Sequence, residues 1–230
     1  MIIKAIIYDF DGPVNDSFRE GLRRIKWLCA VNEVRYTREA RRKLTELWGI
    51  PGAELLQRAL DITEILAKKL YSDWEKLDLR DPMPLVPGAK EALFWCRKNG
   101  FVNALLTTRN RQNINDIFER LDLHREFEVI SAKQDVEYRK PDPRAFRFIL
   151  EALGERFGVT RNTCIFVGDT IVDFNAGQAA AIETVMVQTG PFLLKQAPKE
   201  LKLENILRSV DELPEWIMEH HEGEISHDYK

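Results

Sequence analysis

Two aspartates one residue apart, Asp9 and Asp11 in the stretch Asp9-Phe10-Asp11-Gly12, close an aliphatic run that begins at Ile2. Like charges this close raise each other's pKa unless something positive sits between them. The pair is therefore either solvated and idle or built to hold a cation. Three further segments carry residues of matching chemistry: Thr107-Thr108-Arg109-Asn110, Arg139-Lys140-Pro141-Asp142-Pro143 and Gly168-Asp169-Thr170-Ile171-Val172-Asp173. Asp9, Asp11 and Asp169 offer hard oxygens of the kind Mg²⁺ takes together with waters and a substrate phosphate. With the repulsion relieved, Asp9 can attack phosphorus and form an aspartyl-phosphate. Asp11 can protonate a leaving alcohol and later take a proton from water. Thr107 offers a hydroxyl to a phosphoryl oxygen, and Lys140 a charge that balances both the nucleophile and the transferring group. Gly12 permits a tight turn whose N–H groups approach the phosphate. Each residue alone has an ordinary use, Asp11 and Asp169 as helix caps and Lys140 as a solvated surface lysine. Only their arrival at one place makes a site.

The elements that must bring them together are legible in the hydrophobic pattern. Residues 2–8, 102–106, 128–131, 164–167 and 184–187 read as strands, and 87–99, 110–121 and 143–153 as helices. Such alternation implies right-handed βαβ units and a parallel sheet covered on both faces. The four segments then follow strands one to four, at the carboxyl edge where open parallel sheets bind ligands. Between about Phe18 and Leu79 the alternation stops. Helical stretches at 18–31, 38–48, 53–60 and 62–77 make a block far longer than an ordinary crossover, so it reads as an inserted subdomain. Prolines between Asp81 and Gly88 mark the return of the chain. The expected fold class is α/β, a three-layer sandwich with a parallel central sheet plus an inserted α-helical cap. Residues 1–16 and 82–230 form the core and 17–81 the cap, with hinges near 14–17 and 81–88.

Composition narrows the partners. A net charge of -3 with no sustained basic stripe lacks the electrostatic footprint of a nucleic-acid binder. No apolar stretch reaches the length of a membrane span. Three scattered cysteines, Cys29, Cys96 and Cys164, show no CxxC spacing and read as reduced thiols in a cytoplasmic protein. A small phosphorylated metabolite fits this balance, with the chain a monomer or homodimer.

The four motifs, DFDG, LLTT, RKPDP and GDTIVD, resemble in order those of the haloacid dehalogenase superfamily, and PGAKEAL…KNG looks like that family's return from its cap. The resemblance spans roughly residues 1 to 215. It implies a Rossmann-like core, an α-helical cap, a Mg²⁺ cofactor and hydrolysis of a phosphate monoester. Carried over by position, Asp9 matches the nucleophile, Asp11 the general acid/base, and Thr107 and Lys140 the phosphate-side residues. Thr108 stands where relatives often carry Asn and keeps a hydroxyl near the substrate. Asp169 matches the metal ligand, and Asp173 either a water-mediated ligand or a partner of Lys140. The dehalogenase and phosphonate-cleaving branches lack the second carboxylate, so Asp11 favours an oxygen leaving group. A sugar phosphomutase of the same family keeps both aspartates and remains the alternative.

Pro13 departs from the family, which usually has Thr or Val there. Proline removes a donor and fixes φ, so a turn needing that N–H would be altered, and a binding or regulatory protein without turnover is the second alternative. A signalling receiver domain is disfavoured by the 60-residue block between its first two strands, and a nicotinamide enzyme by the lack of GxGxxG after the first. Trp48-Gly49-Ile50-Pro51-Gly52 is either a substrate-reading loop or part of the cap's interior. Arg19, Arg23, Arg24 and Arg109 are candidates to meet an anion or to decorate helix faces. His124 has no partner spacing, and His220, His221 and His227 lie in a polar tail expected to be loose.

Overall fold

A computed structural model describes residues 1–192 and 197–223. Six strands, β1 (Ala5–Tyr8), β2 (Val102–Leu106), β3 (Val129–Ser131), β4 (Cys164–Gly168), β5 (Glu183–Val187) and β6 (Ile206–Leu207), form one sheet in the order β3-β2-β1-β4-β5-β6. All adjacent pairs are parallel. β1 lies at the centre, with Tyr8 opposite Leu105 on one side and Val167 on the other. The residues just past Tyr8, Leu106 and Gly168 therefore emerge together at one sheet edge.

Alternation of side chains makes this a three-layer structure. Ile6, Tyr8, Leu105 and Val167 pack on one face with Leu93 of α5 (Ala89–Lys98), Ile114 and Phe118 of α6 (Arg111–Leu121) and Ile217 of α9 (Leu213–His220). Ala5, Ile7, Ala104, Leu106 and Phe166 pack on the other with Ile149 and Leu153 of α7 (Arg147–Phe157) and Ala176 of α8 (Ile171–Ala179). Strands buried on both faces explain the near-continuous aliphatic runs of the sequence.

The chain divides into two compact units, residues 1–15 with 85–230, and residues 16–84. The second holds α1 (Ser17–Val31), α2 (Arg38–Glu46), α3 (Gly52–Leu60) and α4 (Glu64–Arg80) around Ile25, Leu44, Leu56 and Leu70. Thr37 and Thr63 cap α2 and α4 by accepting from Ala40 N and Leu66 N. Trp48 belongs to this interior, set edge-on to Phe18 at 5.1 Å and against Trp74 at 6.0 Å. The arginines of α1 serve the unit itself. Arg24 is buried and ion-paired with Glu20, Asp78 and Asp81, while Arg23 binds Glu20. Where the chain passes between the units, Val86 N donates to Val14 O in the first (2.8 Å), and Asp16 N to Pro84 O in the second (2.9 Å).

Some elements differ from the sequence expectation. β1 starts at Ala5; Lys4 still bonds Thr163 O and Val102 N on either side, whereas Ile3 N donates to the His221 ring instead of a strand. The helix expected from Pro143 opens as a 3₁₀ turn, Pro143–Phe146, before α7 continues to Phe157. β6 has only two residues, too few for a pattern, and α8 starts inside the GDTIVD motif. The expectation of a loose tail fails for two of its three histidines. His220 closes α9, and His221 Nδ1 accepts from Ile3 N at 3.0 Å. His227 lies outside the described residues. Among the described residues no helix is long and apolar enough to cross a membrane. All three cysteines are free and buried.

Candidate active site

Asp9 continues β1 by one residue, its N–H donating to Val167 O at 2.8 Å. Its carboxylate is held at both ends: Oδ1 accepts from Phe10 N (2.8 Å), and Oδ2 lies 3.0 Å from Lys140 Nζ. Lys140 arrives on the long loop after β3 and is only 6% exposed at its side chain. Its ammonium also donates to Asp173 Oδ1 at 2.6 Å. One cation thus bridges two carboxylates. Burial alone would lower the Lys140 pKa, but Asp173 and Asp9 outweigh it and drive it up. Burial pushes Asp9 up to about 7 against the pull of Lys140, with Asp173 and Asp11 adding to the rise.

Asp173 opens α8 in a capping box with Thr170. Its N–H donates to the Thr170 hydroxyl, and its Oδ2 accepts from Thr170 N (3.0 Å) and Thr170 Oγ1 (2.6 Å). Its carboxylate is committed to Lys140 and to the turn after β4.

Asp169 is 2% exposed, and its Oδ1 has no hydrogen-bond partner. Burial raises its pKa well above the usual range, with Asp173 and Asp9 adding to the effect. Two glycines flank the carboxylate. A Cβ added at Gly12, where φ is +103°, or at Gly190 would overlap it. Carboxylate oxygens of Asp9, Asp169 and Asp173 can all lie within 4.8 Å of one another. A buried, unpartnered oxygen amid clustered acids is costly unless a cation joins it. This donor set of hard carboxylates fits Mg²⁺.

The Asp11 carboxylate is not one of that trio, although the sequence grouped it with the metal-binding acids. Arg109, on the turn after β2, grips it with two bonds of 2.7 Å, and Asn15 Nδ2 donates to it at 2.9 Å. The guanidinium also lies 5.7 Å from the centre of the Phe10 ring. Thr107 directly follows β2 and is buried, and its Oγ1 accepts from Arg109 N at 3.1 Å. Thr108 is exposed on the same turn. The turn around Pro13 closes without its missing donor: Gly12 N donates to Asn15 O (2.8 Å), and Val14 N and Asn15 N both donate to Phe10 O (3.1 and 2.9 Å).

Sequence reasoning missed Asn15 and the segment after β5, where Thr189 Oγ1 donates to Gly12 O at 2.8 Å. It noted Arg109 without its partner. The only available signal was position: Thr189-Gly190 follows a strand of the same sheet edge, as the four motifs do.

The family model of haloacid dehalogenase-like hydrolases matches residues 6–187. The chain belongs to that family, as a hydrolase of its phosphatase branch. It is 30% identical over 202 residues to the phosphoglycolate phosphatase of Pseudomonas fluorescens Pf-5, covering 81% of this chain and 70% of that protein. It is 26% identical over 188 residues to the phosphorylated carbohydrates phosphatase of Thermotoga maritima, covering 80% and 84%. In fold it is similar to CbbY of Rhodobacter sphaeroides, solved in complex with phosphate, with a TM-score of 0.66 at 21% identity over 92% of this chain and 96% of that one.

Proposed function

We propose that the protein is a Mg²⁺-dependent phosphatase that hydrolyses a small phosphate monoester through an aspartyl-phosphate on Asp9. The observation that carries this reading is the buried Lys140 bridge between Asp9 and Asp173. A carboxylate buried like Asp9 favours its neutral form, and the ammonium beside it is what favours the ionised, nucleophilic one. Phe10 N and Lys140 fix the orientation of that carboxylate before substrate arrives. Lys140 then neutralises charge on the transferring group, and Thr107 contributes a hydroxyl. Asp11 protonates the departing alcohol and afterwards takes a proton from the attacking water, with Arg109 and Asn15 setting its position. Asp9 and Asp169 would hold the Mg²⁺, with Asp173 behind them orienting Lys140. When bound, the ion supplies Lewis-acid charge at the phosphoryl oxygens.

The named activities of the relatives support a phosphorylated hydroxy acid or sugar as substrate. The helical unit, residues 16–84, serves on this reading as a cap whose hinges are the two chain crossings. The turn around Pro13 closes through the N–H groups of Gly12, Val14 and Asn15, which supports an active enzyme over a degenerate one. The test is phosphate release from a panel of small esters, with Mg²⁺ and with chelator, for wild type beside Asp9→Asn. Turnover requiring both the ion and Asp9 is expected. Turnover that survives chelation or Asp9→Asn refutes the mechanism, and interconversion of sugar phosphates without net phosphate release would make the protein a mutase.

A further inference from the structure

The segment after β5 is tied to the candidate metal site at three points. Thr189 Oγ1 donates to the carbonyl of Gly12, in the turn that carries Asp11. Gly190 is buried flat against the Asp169 carboxylate, where any Cβ would collide with Cγ and Oδ2. Phe192 N donates to Asp169 O at 3.2 Å. Gln188 N in turn donates to Leu207 O, which anchors the segment to the sheet. Asp169 thus sits in a slot whose walls are Gly12 and Gly190, with the Thr189 hydroxyl fastening one wall to the other. Its Oδ1 is buried in that slot without a partner.

We infer that Thr189 and Gly190 are positioning residues for the divalent cation, forming the far wall of its site. The inference rests on the metal-dependent reading given above. Without the Thr189 bond, the Gly12–Pro13 peptide is free to rotate and widen the slot. A methyl at position 190 would drive the Asp169 carboxylate out of it. Residues that orient metal ligands typically change metal affinity by about 10- to 100-fold when altered. A residue that acts only by holding the ion is expected to leave kcat at saturating ion largely unchanged, and that separates it from a residue acting on substrate.

The experiment compares wild type, Thr189→Val, Thr189→Ser and Gly190→Ala. Ion binding is read directly, by Mn²⁺ electron paramagnetic resonance titration and by the rise in Tm that added Mg²⁺ produces, alongside the Mg²⁺ dependence of phosphate release. Thr189→Val is expected to weaken ion binding about 10- to 100-fold and to keep kcat at saturating Mg²⁺ within about threefold. Thr189→Ser, which retains the donor, restores wild-type affinity. Gly190→Ala weakens binding further. If Gly190→Ala fails to fold, Thr189→Val decides, since that residue is only partly buried and the change keeps its shape. Wild-type ion affinity in Thr189→Val, or a loss that Ser does not rescue, overturns the inference while leaving the metal-dependent mechanism standing. A wild-type protein that binds neither ion overturns both.

Discussion

Replacing Lys140 by Met removes one charge from between two buried carboxylates and keeps a chain of similar length. At 3.0 Å from Asp9 Oδ2, the ammonium interacts with that carboxylate by about 5 kcal/mol at an effective dielectric near 20. The contact with Asp173 is shorter, at 2.6 Å. Desolvation of the lysine offsets much of this, and breaking a buried pair by removing one partner costs about 3–5 kcal/mol. That loss is expected at pH 8. It must shrink as pH falls, because Asp9 already titrates up to about 7 beside the lysine and rises further without it. At pH 5 the Asp9 carboxyl of the variant is neutral and needs no counter-charge. Asp173 still keeps its bonds from Thr170. The penalty is then expected to fall to about half. Urea unfolding of both proteins at pH 8 and pH 5, in chelator, measures it. Phosphate release at pH 7 with saturating Mg²⁺ should drop by about 10²–10³, the usual size of one lost electrostatic stabiliser. An equal destabilisation at both pH values, or a rate within about threefold of wild type, would refute the assignment of Lys140 as the charge that keeps Asp9 ionised.

Three other outcomes are expected. Asp9 and Asp169 both have pKa values raised by burial, so the folded apo protein holds protons that the unfolded chain releases. Its stability must therefore fall as pH rises from the ordinary carboxyl range through about 7, by at least about 1.4 kcal/mol. Saturating Mg²⁺ should abolish that slope, and urea midpoints at pH 5, 6, 7 and 8 with and without the ion check it. Asp11→Asn should lower turnover by about 10²–10⁴ on esters with poor leaving groups and far less on activated aryl phosphates; uniform loss across leaving groups would remove Asp11 as the acid. Pro13→Thr should leave phosphate release within about twofold, because Gly12, Val14 and Asn15 already supply the donors of that turn. The same change should lower stability by about 0.4–1 kcal/mol through the freer unfolded chain, which thermal unfolding reads.

The order of the chemistry-bearing segments, their attachment to strand ends and the helical insertion were all present in the primary structure. Both ladders of apolar residues follow from period-two burial on two faces, and the caps of α2 and α4 from threonines placed before helical runs. What periodicity could not reveal is which strand lies beside which. The sheet order sets β2 and β4 on either side of β1, and so decides that Arg109, 98 positions from Asp11 in the chain, grips that carboxylate. It brings Lys140 within reach of Asp9 and Asp173 at once. It also lays the segment after β5 across the turn after β1, 177 residues away, where Thr189 meets Gly12. Asp173 shows the limit most clearly. Its position suited both a water-mediated metal ligand and a partner of Lys140, and only its bonds to Lys140 and Thr170 show where its oxygens point. Local sequence carries the propensities of each segment, whereas the partner of a charged side chain is a long-range property, fixed only when the folded sheet juxtaposes the loops.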